Sequence, residues 1–141
     1  MAARKRLVHL DRDGHAHMVD VGPKPETQRE AVATAAVRMS RATLALVERG
    51  TPKGDALAVA RIAALGALKR TSDLIPLCHP VRLVGSDVAV TVDRRLPGVQ
   101  LRVTARAFDR TGVEMEALTG AAVGALALYD MVKGVERGVE I

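Results

Sequence analysis

An acid and a lysine near the end of the chain, Asp130 and Lys133, are the residues best suited to chemistry. On a helix, this three-residue spacing places both side chains on the same side. Asp130 follows an apolar Ala-Leu-Ala-Leu-Tyr stretch, where an unpaired carboxylate would be costly. Two interpretations stay open: an ordinary ion pair, which the spacing alone slightly favours, and a partly desolvated lysine that acts as acid or base while Asp130 holds it.

A second candidate is the turn formed by Leu77, Cys78 and His79, which lies between Pro76 and Pro80. The prolines restrict the backbone on both sides, so a rigid turn would present an imidazole that exchanges protons near neutral pH. His79 is equally well explained as a residue that bonds a backbone group and holds the turn. Cys78 could be a nucleophile, but a lone cysteine beside a leucine is more often a small buried residue.

Two further acids, Glu114 and Glu116, flank Met115 at the start of the last predicted helix, where the helix dipole favours acids for structural reasons alone. Residues two apart on a helix point about 200° apart. We therefore expect the two carboxylates to share a site only if this segment is extended, because alternate residues of an extended chain lie on one face.

Basic residues near the ends of predicted elements could converge on phosphate groups through charge-assisted hydrogen bonds. Each of them alone is more often a solvated surface charge. The set comprises Lys24, Arg29, Lys53, Lys69 and Arg70. The Lys53-Gly54-Asp55 segment lacks the spacing of a phosphate-binding P-loop.

The sequence does not predict a metal site. His15 and His17 would alternate on one face of a short strand and could bind a metal. However, no matching cluster of cysteines and histidines occurs elsewhere in the sequence, so the two histidines lack the further ligands that a metal centre needs.

Composition restricts the class of protein. The 141 residues suit one domain, 1–141, and the single cysteine is typical of a cytoplasmic protein. The net charge of +5 attracts polyanions, but one Phe, one Tyr and no Trp weigh against nucleic acid, whose bases stack on aromatic rings. We find no apolar block of membrane length and no signal peptide, so no membrane partner is expected.

Hydrophobic periodicity predicts an α+β domain with elements in the order β-β-α-α-β-β-α. An antiparallel sheet would carry helices on one face. The predicted segments are an extended, partly flexible lead-in over 1–27 with a possible short strand over 15–21, then, within a core over 28–136, a strand over 28–39, a helix over 41–49 capped by Ser40, a helix over 56–70 capped by Asp55, a loop over 71–80, a hairpin of strands 86–94 and 99–108, and a helix over 114–136.

Five ordered segments resemble one enzyme family and together span about residues 15–135. The segments are 17–21 (His-Met-Val-Asp-Val), 53–55 (Lys-Gly-Asp), 69–80 (Lys-Arg-Thr-Ser-Asp-Leu-Ile-Pro-Leu-Cys-His-Pro), 111–119 (Thr-Gly-Val-Glu-Met-Glu-Ala-Leu-Thr) and 129–133 (Tyr-Asp-Met-Val-Lys). In these segments the sequence resembles the cyclic pyranopterin monophosphate synthases, the protein C family of molybdenum cofactor biosynthesis.

The resemblance implies a ferredoxin-like α+β fold and a homohexamer, a trimer of dimers with active sites at the dimer interface. It implies a small-molecule substrate, (8S)-3′,8-cyclo-7,8-dihydroguanosine 5′-triphosphate, which is converted to cyclic pyranopterin monophosphate and pyrophosphate. No cofactor is required, although Mg²⁺ could accompany the triphosphate. Family members usually continue with a short Gly/Lys-rich tail beyond the position of Ile141, where this sequence ends; without such a tail one phosphate-binding lysine would be lost.

Matching positions carry the family's residue roles to this sequence. Asp130 and Lys133 match the catalytic pair. The positions that match substrate contacts are Leu77, Cys78, His79, Glu114, Met115, Glu116, Lys53, Lys69, Lys24 and Arg29. Among these, Lys24, Arg29 and Lys69 correspond to basic residues near the triphosphate.

Two other classes of protein compete with this interpretation. The first is a non-enzymatic ferredoxin-like module that binds RNA or a nucleotide, which the basic charge favours and the missing aromatics oppose. The second is a different nucleotide enzyme, such as a metal-dependent cyclohydrolase, which the lack of a convincing metal-ligand set opposes.

Overall fold

The computed structural model describes residues 8–141, so the first seven residues of the predicted lead-in lie outside the described part of the chain. Three strands form one antiparallel sheet in the order β1-β3-β2, with β3 in the centre. The elements are β1 (Thr27–Arg38), α1 (Arg41–Arg49), α2 (Ala56–Leu68), α3 (Thr71–Leu74), β2 (Leu83–Asp93), β3 (Gly98–Asp109) and α4 (Glu114–Val132).

One face of the sheet carries the core. Alternate residues of a strand point to opposite faces, and β3 follows this rule from Val99 to Ala107. Its buried residues are Val99, Leu101, Val103, Ala105 and Ala107. Helices α2 and α4 pack on this face. The prediction of an antiparallel sheet with helices on one face is confirmed, and the arrangement is consistent with a ferredoxin-like fold.

Side-chain caps define where the first two helices begin. The Ser40 hydroxyl accepts a hydrogen bond from the Thr43 backbone N–H at 3.2 Å, and the Asp55 carboxylate accepts one from the Ala58 N–H at 3.0 Å. Both caps satisfy backbone donors that the first helical turn leaves free. The caps predicted from the sequence are therefore confirmed.

Small residues let α2 and α4 approach closely. A Cβ atom added at Gly124 would lie 2.7 Å from Leu101 Cδ2, 3.1 Å from Ala64 Cβ and 3.2 Å from the Ala60 carbonyl oxygen. α4 is long and apolar enough to cross a membrane by composition alone. Its buried apolar residues nevertheless pack against the sheet and α2, so it is a core helix of this domain.

We expect Gly124→Ala to destabilise the fold by about 1–3 kcal/mol, because the new methyl group overpacks the contact between α2 and α4. Gly66→Ala is the matched control within α2. Apart from its chain neighbours and the nearby backbone of α2, a Cβ atom there would meet no described atom within 4 Å, so alanine should stabilise the helix by about 0.5–1 kcal/mol. Urea unfolding of both variants measures the difference, and equal stabilisation by the two substitutions would contradict this packing.

The predicted strand over 15–21 is wrong. This segment is not part of the three-stranded sheet, and its His15, His17 and Met18 are exposed. Instead, Leu10 and Ala16 form an isolated antiparallel bridge across a turn.

The predicted boundaries after α2 and α4 also need correction. The predicted loop over 71–80 begins with the short helix α3, because the Thr71 hydroxyl donates to the Leu68 carbonyl and continues the turn that ends α2. α2 itself ends at Leu68 rather than at residue 70. α4 ends at Val132 rather than at 136, where Gly134 follows and the Val135 N–H bonds the Val132 carbonyl in a tighter turn.

Candidate active site

Two lysines converge on one carboxylate at the C-terminal end of α4. Lys133 Nζ lies 2.7 Å from Asp130 Oδ1. Lys53 Nζ lies 2.8 Å from the Asp130 backbone oxygen and 3.4 Å from Oδ2. Lys53 reaches this position because the turn from Thr51 to Gly54 precedes α2, which runs antiparallel to α4. We call Lys53, Asp130 and Lys133 the lysine cluster.

The two lysines keep the Asp130 carboxylate of the lysine cluster ionised. The hydrogen bond from Lys133 is the largest influence that lowers the pKa of Asp130, and the charges of Lys133 and Lys53 lower it further. Two ammonium groups and one carboxylate leave a net charge of about +1 on the cluster. This charge suits an anionic substrate.

The lysine cluster borders an open groove of about 470 Å³. The groove is lined by Val123, Leu126, Ala127, Tyr129, Asp130 and Lys133. The side chains of Lys133 and Asp130 are 52% and 56% exposed, so a single chain does not desolvate the lysine as the catalytic interpretation expects. Desolvation would require another surface to cover the groove.

A second site lies at the opposite end of α4, where the turn before β2 meets the start of the helix. It is a cavity of about 190 Å³ that we call the acidic pocket. Its lining residues are His9, Leu77, Cys78, His79, Val81, Thr111, Gly112, Glu114, Met115 and Glu116. The structure thus brings together six of the residues to which the resemblance assigns substrate contacts.

The expectation that Glu114 and Glu116 share a site only in an extended segment is wrong. α4 begins at Glu114, so the segment is helical rather than extended, yet Glu114 and Glu116 both line the cavity. This occurs because the cavity lies at the first turn of the helix, where Leu77 and His79 of the preceding turn complete its wall. A helical start therefore does not separate the acids.

Burial changes the acidity of the pocket. Glu116 is only 4% exposed, and this burial is the main cause that raises the pKa of its carboxyl group, with the charge of Glu114 adding to it. Burial also raises the pKa of the Cys78 thiol, and the nearby Glu116 carboxylate raises it further. Since a thiolate is the reactive form, these shifts disfavour Cys78 as a nucleophile.

We expect Cys78 to react with iodoacetamide along a pH profile whose midpoint lies above that of a free cysteine, because burial and Glu116 both disfavour the thiolate. Glu116→Gln should lower the midpoint partway, since it removes the charge but keeps the burial. The measurement is the alkylation rate of the sequence's single cysteine against pH. A midpoint that is unchanged in Glu116→Gln would contradict the contribution of Glu116.

The remaining predicted cations are placed apart from the lysine cluster. Arg29 donates to the backbone oxygens of Asp109 and Arg110, at 3.3 and 3.5 Å. Lys24 is exposed in the segment before β1, and Lys69 is exposed at the end of α2. None of these three residues lines the groove at the lysine cluster.

A larger cavity of about 500 Å³ lies at the strand ends beside Arg29. The Arg106 guanidinium there already pairs with Asp87 at 2.6 Å and Glu30 at 3.8 Å. Because its cations are engaged by carboxylates and carbonyls, this cavity is a weaker candidate for an anionic ligand than its size implies.

The lysine cluster and the acidic pocket cannot act on the same atoms within one chain. Glu116 and Asp130 lie fourteen residues apart on α4, which at about 1.5 Å per residue separates them by about 21 Å. Proton transfer requires heavy atoms about 2.6–3.2 Å apart.

His9 is a pocket residue that the sequence did not indicate. Its turn carries a recognisable signal, Asp11-Arg-Asp-Gly14, which is typical of a tight turn. Nothing in the local pattern, however, predicts that the turn lies against the acidic pocket.

In the described part of the chain, Asp11, Asp13 and His15 of this turn are close enough to share a metal ion, but Asp11 already accepts the Asp13 and His15 N–H groups.

Comparisons with known proteins identify the family to which this chain belongs. Residues 18–141 match the model of the MoaC family. Proteins named cyclic pyranopterin monophosphate synthase from Brucella ovis, Brucella canis and Brucella suis are each 55% identical over 137 residues, which cover 96% of this chain and 83% of the relative. The region that matches the family model contains the lysine cluster and the acidic pocket apart from His9, and the longer matches to the Brucella proteins extend to residues before 18.

Proposed function

This chain belongs to the MoaC family, and from that we propose that it is a cyclic pyranopterin monophosphate synthase of molybdenum cofactor biosynthesis. Its proposed substrate is (8S)-3′,8-cyclo-7,8-dihydroguanosine 5′-triphosphate, and its products are cyclic pyranopterin monophosphate and pyrophosphate. The enzyme would work in the cytoplasm without a resident cofactor, and Mg²⁺ would at most accompany the triphosphate.

The lysine cluster is the observation that carries this proposal. The reaction opens and recloses the guanine-derived ring, which needs protons to be moved between several atoms. Lys133 is the proposed acid and base, and Asp130 orients it through their 2.7 Å contact. Lys53 holds the other side of Asp130 and supplies a second positive charge.

Positive charge also suits the phosphate step. A substrate hydroxyl attacks the α-phosphorus, the bond from that phosphorus to the bridging oxygen breaks, and pyrophosphate leaves as the cyclic phosphate forms. A base takes the hydroxyl proton, while cations stabilise the charge that grows on the leaving group. The ammonium groups of Lys53 and Lys133 both pair with Asp130, but they are half exposed and each carries three N–H donors, so donors remain for these oxygens.

We propose that the complete site forms between two copies of the chain. The acidic pocket and the lysine cluster are separated by about 21 Å along α4. This distance is too long for one chain to bring both to the reacting ring. Two copies related by a two-fold axis, with their α4 helices antiparallel, would place the cluster of one beside the pocket of the other. The groove at the cluster would then be covered and Lys133 desolvated.

The surface of α4 supports such a contact. Met115, Leu118 and Leu126 lie on the solvent side of the helix and are 36%, 51% and 59% exposed. The three residues join the acidic pocket to the groove at the lysine cluster. Exposed apolar residues that form a continuous stripe are typical of an interface between proteins. A hexamer built from three such dimers is the assembly that we propose.

A direct assay tests the function. The chain is supplied with the cyclic dihydroguanosine triphosphate, and pyrophosphate release is measured with and without EDTA. We expect release in both conditions. Absence of release would contradict the synthase, and loss of release in EDTA would instead favour a metal-dependent nucleotide enzyme.

A further inference from the structure

The turn at the start of the described chain places an imidazole in the acidic pocket. His9 lines the cavity, whereas the other lining residues come from the segments 77–81 and 111–116. His9 also lies before the region that matches the family model, which begins at residue 18. The family model therefore does not include His9, and the folded turn is what places His9 at the pocket.

This turn is held by several hydrogen bonds. The His17 N–H donates to the His9 carbonyl oxygen at 2.9 Å, and the Asp11 N–H donates to the His15 carbonyl at 2.9 Å. Gly14 has a φ of 85°, a conformation that glycine adopts without strain. The backbone on either side of His9 is therefore tied into a defined bend.

A side-chain cap completes the turn. The Asp11 carboxylate accepts the N–H groups of Asp13 and His15 at 2.9 and 2.8 Å. The bond from the His15 N–H is the largest cause that lowers the pKa of this carboxyl group, so it stays ionised and capable of accepting both bonds near neutral pH. The turn is built to keep His9 at the pocket wall.

A guanine-derived ring in the acidic pocket needs a hydrogen-bond donor, and the His9 side chain can supply one. Glu114 and Glu116 provide oxygen acceptors, which suit the ring and amino N–H groups of a guanine-derived ring. The same ring carries a carbonyl oxygen, which requires a donor. Among the lining side chains, His9 and His79 can supply N–H donors and Thr111 an O–H donor.

We propose that His9 contacts the ring system of the substrate and strengthens its binding in the acidic pocket. This inference rests on the proposed synthase function. In this proposal His9 acts in binding, while Lys133 of the neighbouring copy carries the proton transfer. One neutral hydrogen bond contributes about 0.5–1.5 kcal/mol, which corresponds to a roughly threefold to tenfold change in affinity.

Kinetics of pyrophosphate release test the proposal with three variants of the full chain. His9→Ala should raise KM for the cyclic nucleotide roughly threefold to tenfold and change kcat by less than about twofold. His9→Gln should restore most of the loss, because its amide N–H can donate from a similar position. His15→Ala is the matched control on the same turn, where the exposed side chain is lost but the backbone bond to Asp11 remains.

The outcomes separate this inference from the function beneath it. A wild-type chain that releases no pyrophosphate overturns the synthase and the role of His9 together. An active wild type overturns the role of His9 alone in three cases: KM is unchanged in His9→Ala, KM rises equally in His15→Ala, or His9→Gln gives no recovery.

Discussion

Lys133→Ala is expected to lower kcat for pyrophosphate release by about 10²–10⁴-fold, the usual loss when a general acid or base is removed. Lys133 is half exposed and lies at the end of α4, so alanine should leave the fold intact. Thermal unfolding of the variant checks this point. Near-normal turnover of Lys133→Ala would contradict the assignment of Lys133 as the principal acid and base.

Lys133→Arg separates proton transfer from charge. Arginine keeps the positive charge and can still pair with Asp130, but it does not lose its proton in proteins. We expect this variant to stay far below the wild type. Arg95→Ala, which removes an exposed cation on the turn between β2 and β3, is the control and should keep wild-type activity. If Lys133→Arg recovered most of the activity, Lys133 would act through its charge alone.

Asp130→Asn is expected to lower kcat by about 10–100-fold, by analogy with the loss seen for residues that orient metal ligands. The amide removes the charge that holds both Lys133 and Lys53, whose nitrogens lie 2.7 and 3.4 Å from the carboxylate oxygens. Because the lysines lower the pKa of Asp130, we expect the wild-type pair to stay intact until the pH falls below the ordinary aspartate range.

A double variant shows whether Asp130 acts through Lys133. If it does, Asp130→Asn should cost little further activity in a chain that already carries Lys133→Ala, because the effects of residues that act as a unit do not add. Losses that multiply fully in the double variant would mean that Asp130 has a separate role, such as orienting Lys53.

Local pattern predicted most of the elements that position the site. The alternation of β2 and β3, the Ser40 and Asp55 caps and the helical spacing of Asp130 and Lys133 are all encoded within a few neighbouring residues. These local patterns predict the structure correctly because the apolar residues that they place on one face are the residues that the core buries. The antiparallel sheet followed directly from these elements.

Long-range contacts were not encoded in this way. Lys53 meets Asp130 across 77 positions of sequence, because α2 and α4 run antiparallel with Gly124 at their crossing. His9 lies at the acidic pocket because of a turn whose local sequence does not predict which part of the fold it contacts. The resemblance of the motifs, rather than spacing, placed Lys53 among the site residues, and His9 lay outside those motifs.

Complementation between two impaired chains tests the shared site most directly. One chain carries Lys133→Ala, which disables the lysine cluster, and the other carries Glu116→Gln, which disables the acidic pocket while keeping its shape. After co-refolding in equal amounts, about half of the dimers are mixed and each mixed dimer has one intact site of two, so about a quarter of wild-type activity should return. If each chain holds a complete site, the mixture will instead show only the mean of the two impaired activities.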